Sequence, residues 1–334
     1  MSTQKLRFGI LGCGLIADFH ANALRAIEKA ELVGCADNSI DRAKQYAERY
    51  EIKPYANYEE MLADENIDAV CICTPSGFHA DNAIQALQAN KHVVLEKPMA
   101  LTVEDTERII AQTKKTDKLL TVVSQLRFSK DVNRVKNLVK EGAFGKLIFC
   151  DLNMRYWREP TYYSSSPWKG TIKMDGGGAL MNQGVHGIDL MLYIVGDASV
   201  VKSVNRTAFH DIEVEDASVS ILQFENGAMG TVSGSTCTYP GFERTFEILG
   251  TEGCAILREN KIEKLVVHGE TLIDGIEDEG FAGGTSDPAA IDTLVHKKQL
   301  KNFINAVFGE EELLIDATEG QRAVKLIREI YTNK

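Results

Sequence analysis

The sequence has no excess of basic residues. Its 37 lysine and arginine residues are outnumbered by 48 aspartate and glutamate residues, and the formal net charge is −11 at pH 7. Nucleic acids and anionic membrane surfaces attract basic protein faces, so this balance argues against both as partners. A small anionic ligand stays compatible with the sequence, because a few local arginines and lysines can form a positive pocket.

The sequence also has no apolar run that approaches the length of a membrane span. The first ten residues, MSTQKLRFGI, lead directly into an apolar strand, so we expect no signal peptide. The seven cysteines are scattered, and Cys71 and Cys73 lie in a buried-strand pattern. Residues two apart on one strand are poor disulfide partners, and no second cysteine pair completes a zinc site. We therefore expect a cytoplasmic protein that binds no metal and whose cysteines are small core residues.

A dinucleotide-binding pattern occupies the first 37 residues. The apolar run 6–11 is followed by Gly12, Gly14 and Ala17, at the spacing G-x-G-x-x-A. An amphipathic stretch and a second apolar run come next and end at Asp37. A strand, a glycine turn, a helix, a strand and an acid in this order predict a site for the pyrophosphate and ribose of a dinucleotide. For the glycines taken alone, an ordinary turn is the alternative.

The glycines and the acid each have a physical reason in this pattern. Gly12 permits the sharp turn because it lacks a Cβ, and Gly14 leaves room for the pyrophosphate. The Asp37 carboxylate would accept hydrogen bonds from both ribose hydroxyls and repel a 2′-phosphate, so we expect NAD rather than NADP. Asn38 and Arg42, close to Asp37, are the residues that would weaken this preference.

The chain changes its pattern near residue 125. Up to that point apolar runs alternate with amphipathic stretches, which predicts an α/β fold with a doubly wound parallel sheet. Beyond it several strands succeed one another, and Asn226-Gly227 is typical of a hairpin turn. Here we expect an α+β domain on a largely antiparallel sheet. The predicted domains are therefore 1–125 and 126–334.

Polar or reactive side chains follow two of the predicted parallel strands. Thr74-Pro75-Ser76 comes after one strand, and Glu96-Lys97-Pro98 comes after the next. Open α/β sheets bind ligands at the carboxyl edge, so Lys97 is expected near the nicotinamide, where its ammonium can hydrogen-bond a substrate hydroxyl. A surface lysine in a strand-end turn is the alternative.

A second cluster lies on a helix predicted from about residue 179 to residue 195. Asn182, His186 and Asp189 recur at intervals of four and three, so that they would share one helix face. A histidine on such a face can accept the proton that leaves a hydroxyl as a hydride departs. Ordinary polar packing of the histidine and the aspartate is the alternative.

These elements resemble the Gfo/Idh/MocA oxidoreductases, the family named for glucose–fructose oxidoreductase and inositol dehydrogenase. The resemblance covers essentially the whole chain, since the glycine turn, Thr74-Pro75, Glu96-Lys97-Pro98 and the helix 184–189 occur in the family order. It implies reversible NAD(P)-linked oxidation of a sugar, nucleotide-sugar or cyclitol hydroxyl. It also implies that Lys97 and His186 are catalytic.

The same resemblance assigns roles to the two domains. Residues 1–125 would form the NAD-binding Rossmann domain, and residues 126–334 would bind the substrate and form an oligomer. The family's C-terminal sheet is open on one face, and that face usually joins subunits. We therefore expect a homodimer or a homotetramer.

One departure from the family pattern concerns Asn182. Inositol-dehydrogenase-like members commonly carry Asp there, and an Asn can neither accept a proton nor stabilise a histidinium as a carboxylate does. The stretch from Trp168 to His186 looks closer to the branch that oxidises C3 of the sugar in UDP-N-acetylglucosaminuronate. Loop aromatic and basic residues are as often solvated as ligand-binding, but five are suited to a polar or anionic sugar: Arg155, Arg158, Tyr163, Trp168 and Lys169.

The mechanism expected from these residues places a sugar hydroxyl between Lys97 and His186. His186 removes the hydroxyl proton as the hydride leaves for nicotinamide C4, and Lys97 stabilises the developing alkoxide, although the two could exchange roles. The predicted cofactor contacts are Gly12, Gly14, Leu15, Ile16, Asp37, Asn38, Thr74, Pro75, Ser76, His79, Glu96, Lys97 and Gln125. The predicted substrate contacts are Lys97, Arg155, Tyr163, Trp168, Asn182, His186 and Asp189.

Three alternative functions stay open at this point. A non-catalytic dinucleotide-dependent sensor would keep the glycine turn and Asp37 but would not need Lys97 and His186 together. An enzyme that holds NAD tightly could cycle it within one turnover without releasing NADH. An inositol dehydrogenase would fit the family but not the Asn at position 182.

Overall fold

The computed structural model describes residues 4–275 and 293–333. These residues form two compact units, each with its own sheet. The first unit contains residues 4–125 and 293–321, and the second contains residues 126–275 and 322–333. The sequence also predicts a boundary after residue 125, but it assigns every later residue to the second domain. Residues 293–321 instead belong to the first unit.

The first unit is built on a six-stranded sheet. Its strands are β1 Leu6–Leu11, β2 Ala30–Ala36, β3 Lys53–Pro54, β4 Ala69–Ile72, β5 His92–Leu95 and β6 Leu120–Val122. They are parallel and lie in the order β3-β2-β1-β4-β5-β6, with every residue of β4 buried, as expected for a sheet covered on both faces. The helices from this part of the chain are α1 Leu15–Arg25, α2 Ile40–Tyr50, α3 Tyr58–Ala63, α4 His79–Gln88 and α5 Val103–Thr113.

The second unit is built on an eight-stranded sheet. Its strands are β7 Leu147–Arg155, β8 Ala198–Arg206, β9 Ala217–Phe224, β10 Met229–Ser235, β11 Thr245–Gly250, β12 Gly253–Arg258, β13 Lys261–Val267 and β14 Glu270–Asp274. Their order is β14-β13-β12-β11-β7-β10-β9-β8, and the neighbours are antiparallel except for β7 and β10. The helices are α6 Lys130–Lys140, α7 Pro160–Ser164 and α8 Val185–Val195, and a π-helical turn Ala179–Gly184 precedes α8.

One face of this second sheet is covered and the other is exposed. Gly187 of α8 lies against Leu152 and Met154 of β7, so α8 packs on the face to which these two residues point. The strands alternate buried and exposed residues, and β9 exposes Val219 and Ile221 on the opposite face. A Rossmann-type parallel sheet followed by a largely antiparallel open sheet confirms the predicted fold class.

The last two helices explain why residues 293–321 belong to the first unit. They are α9 Thr293–Val307 and α10 Ala317–Thr332. Phe303 and Ile304 of α9 are fully buried in the core that contains Phe8 of β1. A Cβ on Gly320 of α10 would lie 2.4 Å from a methyl carbon of Val122, so this part of the helix packs closely on β6.

Some short elements are not predicted by the sequence. The strands β3 and β14 and the helix α7 have two to five residues, too few to show a clear hydrophobic period. The π-helical turn lies within a stretch that reads as one regular helix. Among the described residues, none of the helices is both long and apolar enough to cross a membrane.

Candidate active site

The glycine turn between β1 and α1 can receive a phosphate. Gly12 has a φ of +91°, and a Cβ there would lie 2.8 Å from the Cys73 carbonyl oxygen. Gly14 is the N-cap of α1 with a φ of −92°, and a Cβ there would meet no described atom within 4 Å. The exposed Leu15 and the partly buried Ile16 form the first turn of α1. No side chain caps this N-terminus in the described structure, so its N–H groups suit an anion.

Asp37, directly after β2, supports the glycine turn from the other side. Its Oδ2 accepts a hydrogen bond from the Cys13 N–H at 2.9 Å, and its Oδ1 accepts one from the Ser39 N–H at 2.9 Å. The Arg42 guanidinium is 3.5 Å from Oδ1, and Asn38 is exposed. The carboxylate therefore stands at the edge where a ribose is expected and also fixes the turn that would hold the pyrophosphate.

His79 connects the two loops at the carboxyl edge of the parallel sheet. Its Nδ1 is 2.7 Å from the Pro98 carbonyl oxygen, and its Nε2 is 2.9 Å from the Thr74 carbonyl oxygen. Both ring nitrogens thus face backbone carbonyl oxygens inside the protein, and the predicted cofactor contact of His79 stays a prediction. Pro75 and Ser76, by contrast, are only partly buried at this edge.

Glu96, Lys97 and Gln125 lie at the same edge, after β5 and β6. The buried Glu96 carboxylate accepts hydrogen bonds from His20 Nε2 at 2.8 Å and from the Lys97 backbone N–H at 3.2 Å. The Lys97 side chain is partly exposed. The Oε1 of Gln125 is buried, and no donor in the described ranges reaches it. The open space at Gly14 fits a site completed by a bound dinucleotide.

In the second unit, Asn182 and His186 lie on either side of a change in helix type. Asn182 is in the π-helical turn, and His186 is in the first turn of α8. The regular helix expected from residue 179 is therefore wrong for its first six residues, and the expected common face is interrupted. Single π-helical turns are frequent at functional sites.

The carboxylate of Asp175, which is not among the site residues predicted from the sequence, lies next to Asn182. The Asn182 amide donates a hydrogen bond to Asp175 Oδ1 at 2.6 Å, and the Gly170 N–H donates to Asp175 Oδ2 at 2.8 Å. The Asp175 side chain belongs to a residue that is only 1% exposed. Position 182 carries an amide, but a buried negative charge is beside it. The only signal in the sequence is an acid directly before the triple glycine 176–178.

Asp189 is paired with an arginine in the structure. This residue is buried on α8, and its two oxygens accept hydrogen bonds from Arg127 Nε at 2.9 Å and Arg127 Nη2 at 2.7 Å. Such a bidentate pair occupies the carboxylate. The pair ties α8 to Arg127, and the predicted substrate contact of Asp189 stays a prediction.

Two cations surround the ring of Tyr162. Lys169 Nζ is 4.1 Å and the Arg158 guanidinium carbon is 5.7 Å from the ring centroid. The Tyr162 hydroxyl accepts a hydrogen bond from Gln183 at 2.9 Å, and Arg158 donates one to the same glutamine at 2.8 Å. Burial lowers the pKa of Lys169, while the Asp175 carboxylate acts in the opposite direction. Burial raises the pKa of the Tyr162 hydroxyl to about 12, so the ring stays neutral.

Arg155 and Tyr163, two residues predicted to contact the substrate, bond to other side chains of the second unit. Arg155 follows Met154 on β7, and since Met154 points to α8, Arg155 points to the exposed face of the sheet, where it donates a hydrogen bond to Asn153. Tyr163 is buried, and its hydroxyl is 2.8 Å from Thr236 Oγ1.

Trp168 is partly buried, and its carbonyl oxygen accepts hydrogen bonds from the N–H and hydroxyl of Thr171. It lies one residue before Lys169 in the loop that leads to Asp175. The second unit thus places Asn182 and the cations around Tyr162 in one cluster, to which Asp175 and Gln183 also belong.

Two family models match the chain. Residues 6–124 match the model described as "Oxidoreductase family, NAD-binding Rossmann fold", and residues 132–256 match the GFO/IDH/MocA C-terminal domain. The chain belongs to the Gfo/Idh/MocA oxidoreductase family. This membership confirms the predicted NAD cofactor and the predicted class of enzyme, an NAD-dependent dehydrogenase that acts on the CH–OH group of a sugar or cyclitol.

Similar proteins include dehydrogenases of different substrates. The myo-inositol 2-dehydrogenase of Thermotoga maritima is 28% identical over 96% of this chain and 94% of its own. The WlbA dehydrogenase of Bordetella pertussis, solved with NADH and UDP-GlcNAcA, is 31% identical with a TM-score of 0.87 over 99% of this chain and 96% of its own. The Chromobacterium violaceum WlbA dehydrogenase, solved with the same two ligands, is 30% identical with a TM-score of 0.88 over 100% and 94%.

Proposed function

We propose that this oxidoreductase oxidises the C3 hydroxyl of an acidic nucleotide sugar, UDP-N-acetylglucosaminuronate or a close analogue. The observation that carries the proposal is the cluster around Tyr162. There the cations Arg158 and Lys169 lie against one aromatic ring, which gives the cluster two positive groups suited to an anionic substrate. The two similar dehydrogenases solved with UDP-GlcNAcA support the same substrate class.

Lys97 and His186 are the residues to which we assign the chemistry. Bound NAD supplies the hydride acceptor. The Lys97 ammonium donates a hydrogen bond to the substrate oxygen and stabilises the charge that develops on it. The His186 imidazole accepts the hydroxyl proton, or exchanges this role with Lys97. Asn182 is unsuited to proton transfer, because it is an amide and its Nδ2 already donates to Asp175.

The cofactor is assigned to the first unit. The N–H groups at the start of α1 would bind the pyrophosphate, with Gly14 leaving the space, and Asp37 would accept from the ribose hydroxyls. Gln125, which follows β6 at the same edge of the sheet, is assigned as a further cofactor contact.

We assign a homodimer or homotetramer to the enzyme and place it in the cytoplasm. The exposed face of the eight-stranded sheet supports an oligomer, since apolar side chains of four adjacent strands are solvent-exposed there: Phe149, Val204, Val219, Ile221 and Met229. Seven free cysteines support a reducing compartment.

The substrate proposal is tested by the rate of NADH formation with a matched panel. UDP-N-acetylglucosaminuronate should give a kcat/KM at least about tenfold above that of neutral UDP-N-acetylglucosamine, because the carboxylate gains charge-assisted hydrogen bonds. Both should be measured with NAD and NADP, and myo-inositol completes the panel. A neutral sugar or inositol as the best substrate would contradict the acidic class.

The same assay tests the two catalytic assignments. Lys97→Ala and His186→Ala should each lower turnover by about a hundredfold or more while NADH binding is retained. Lys44→Ala, on the exposed side of α2, and His268→Asn, at an exposed hairpin, are the matched controls and should keep wild-type turnover. Bound cofactor with no NADH from any substrate would favour a sensor, or an enzyme that recycles NAD internally.

A further inference from the structure

A buried group of two imidazoles and one carboxylate lies next to Lys97 within the first unit. His20 comes from α1, Glu96 follows β5, and His296 comes from α9. His20 is 0% exposed, and its Nε2 is 2.8 Å from Glu96 Oε1. The His20 and His296 rings pack edge to face with 4.5 Å between their centroids. The proposed chemistry uses neither histidine.

The charges within this cluster can be assigned. Burial raises the pKa of the Glu96 carboxyl, but the hydrogen bond and charge of His20 oppose it and bring the pKa down to about 2. Burial and the charge of His20 lower the pKa of His296 to about 3. Burial alone lowers the pKa of His20, but the Cys73 and Cys71 side chains that face it raise the pKa well above its usual value. The 2.8 Å contact between His20 Nε2 and Glu96 Oε1, together with the lowered pKa of Glu96, points to an ionised Glu96 hydrogen-bonded by a protonated His20, beside a neutral His296.

The Glu96 carboxylate connects His20 to the backbone of Lys97. One oxygen of Glu96 binds the His20 imidazolium, and the other accepts the Lys97 backbone N–H. His79, whose ring holds the Pro98 carbonyl oxygen, is a further titratable group close to Glu96. Loss of the charge on His20 would remove the main group that lowers the pKa of the buried Glu96 carboxyl, and a buried carboxylate without such a partner binds a proton instead.

Packing alone does not account for the cluster. Both His20 Nδ1 and His296 Nε2 are buried, and neither has a hydrogen-bond partner in the ranges that the structure describes. Apolar residues of similar volume usually stabilise a core as well as a buried ion pair does, so a half-satisfied polar cluster needs another reason.

We propose that His20 is a positioning residue for hydride transfer: by keeping Glu96 ionised and hydrogen-bonded, it holds the backbone at Lys97 and sets the charge that the Lys97 ammonium experiences. This inference rests on the proposed role of Lys97. It also gives α1 a second role. The helix that would receive the pyrophosphate at its N-terminus would also position the Lys97 ammonium through His20, its sixth residue.

The test is a double-mutant cycle read as pH profiles of kcat/KM. His20→Gln keeps a hydrogen-bonding side chain but cannot be protonated. It should lower kcat/KM about tenfold at neutral pH and move the acid limb of the profile upward by about one pH unit, because Glu96 now titrates. In the Glu96→Gln background the same substitution should cause no further shift of the limb.

A control variant separates this effect from general destabilisation. His92→Gln removes another imidazole of the first unit, at the start of β5, where Nδ1 accepts the Leu119 N–H at 3.0 Å. This variant should have a lower thermal midpoint, but its pH profile of kcat/KM should match that of the wild type. If His20→Gln behaves like His92→Gln, or if its effect on the profile is the same with Glu96→Gln present, the inference is wrong.

A second measurement covers the case in which His20→Gln does not fold. Imidazole nitrogen chemical shifts of the wild-type enzyme should show His20 protonated at pH 7 and neutral in Glu96→Gln. A neutral His20 in wild type overturns the inference. Lys97→Ala is measured alongside: if it keeps wild-type turnover, the proposed function falls as well, and if only the His20 results disagree, this inference falls alone.

Discussion

The two glycines of the dinucleotide turn are required for different reasons. Gly12 has a positive φ, and a side chain there would collide with backbone atoms of Cys73. Gly14 has an ordinary φ and open space around its Cβ position among the described atoms. The fold therefore requires glycine at position 12 but not at position 14. The sequence predicts the glycine pattern correctly. Only the structure shows that Gly12 is required by the fold and that Gly14 leaves space for a ligand.

This difference predicts opposite results for two single substitutions. Gly14→Ala should leave the thermal midpoint unchanged or slightly raised, because the unfolded chain loses freedom, while NADH binding weakens at least about tenfold. Gly12→Ala should lower the free energy of unfolding by about 1–3 kcal/mol. Calorimetry and fluorescence titration with NADH check both. Equal losses of stability in the two variants would show that position 14 also serves the fold.

At the scale of elements, the backbone N–H groups before the helix that carries His186 are capped by side chains far away in sequence. The Glu215 carboxylate accepts hydrogen bonds from the Gly178 N–H at 2.8 Å and the Leu180 N–H at 2.9 Å. Tyr331 donates its hydroxyl to Glu215 at 2.8 Å and accepts from the Met181 N–H at 3.2 Å. Hydrophobic periodicity predicts the helix, but a cap supplied from 35 to 150 residues away leaves no local signal.

Removal of this distant cap should destabilise the second unit. Glu215→Ala leaves two buried N–H groups and a buried hydroxyl without their acceptor, so the free energy of unfolding should fall by about 3 kcal/mol. Tyr331→Phe should cost less, about 1–2 kcal/mol. Urea denaturation measures both, with Glu225→Ala, an exposed acid, as the control. A Glu215→Ala protein as stable as the control would show that the π-helical turn does not depend on this carboxylate.

At the scale of the whole molecule, alternation in the strands predicts which residues share a face but not which face stays uncovered. β9 reads as a strand with apolar residues on both sides, Val219 and Ile221 on one and Leu222 and Phe224 on the other. The structure shows that the second pair is the buried one. On β10 the exposed pair faces Ser233 and Thr231, and the exposed Met229, two residues before Thr231, lies opposite the exposed Phe149 of β7.

A charge placed on this exposed face should prevent self-association. Ile221→Lys is expected to convert the proposed dimer or tetramer to smaller species in sedimentation velocity, since each copy would bury a charge at the interface. Leu314→Lys, at an equally exposed leucine of the first unit, is the control and should leave the assembly unchanged. A wild-type protein that is monomeric at micromolar concentration would contradict the oligomer.

The packing of α9 has a consequence for biosynthesis. The dinucleotide unit is encoded almost entirely by the first 125 residues, yet Leu300, Phe303 and Ile304 complete its core. While the ribosome is still translating the second unit, the nascent first unit lacks these side chains and exposes the apolar surface that they cover. Its final structure therefore waits for nearly the whole polypeptide to leave the ribosome, and a fragment that stops at residue 125 would be synthesised without part of its own interior.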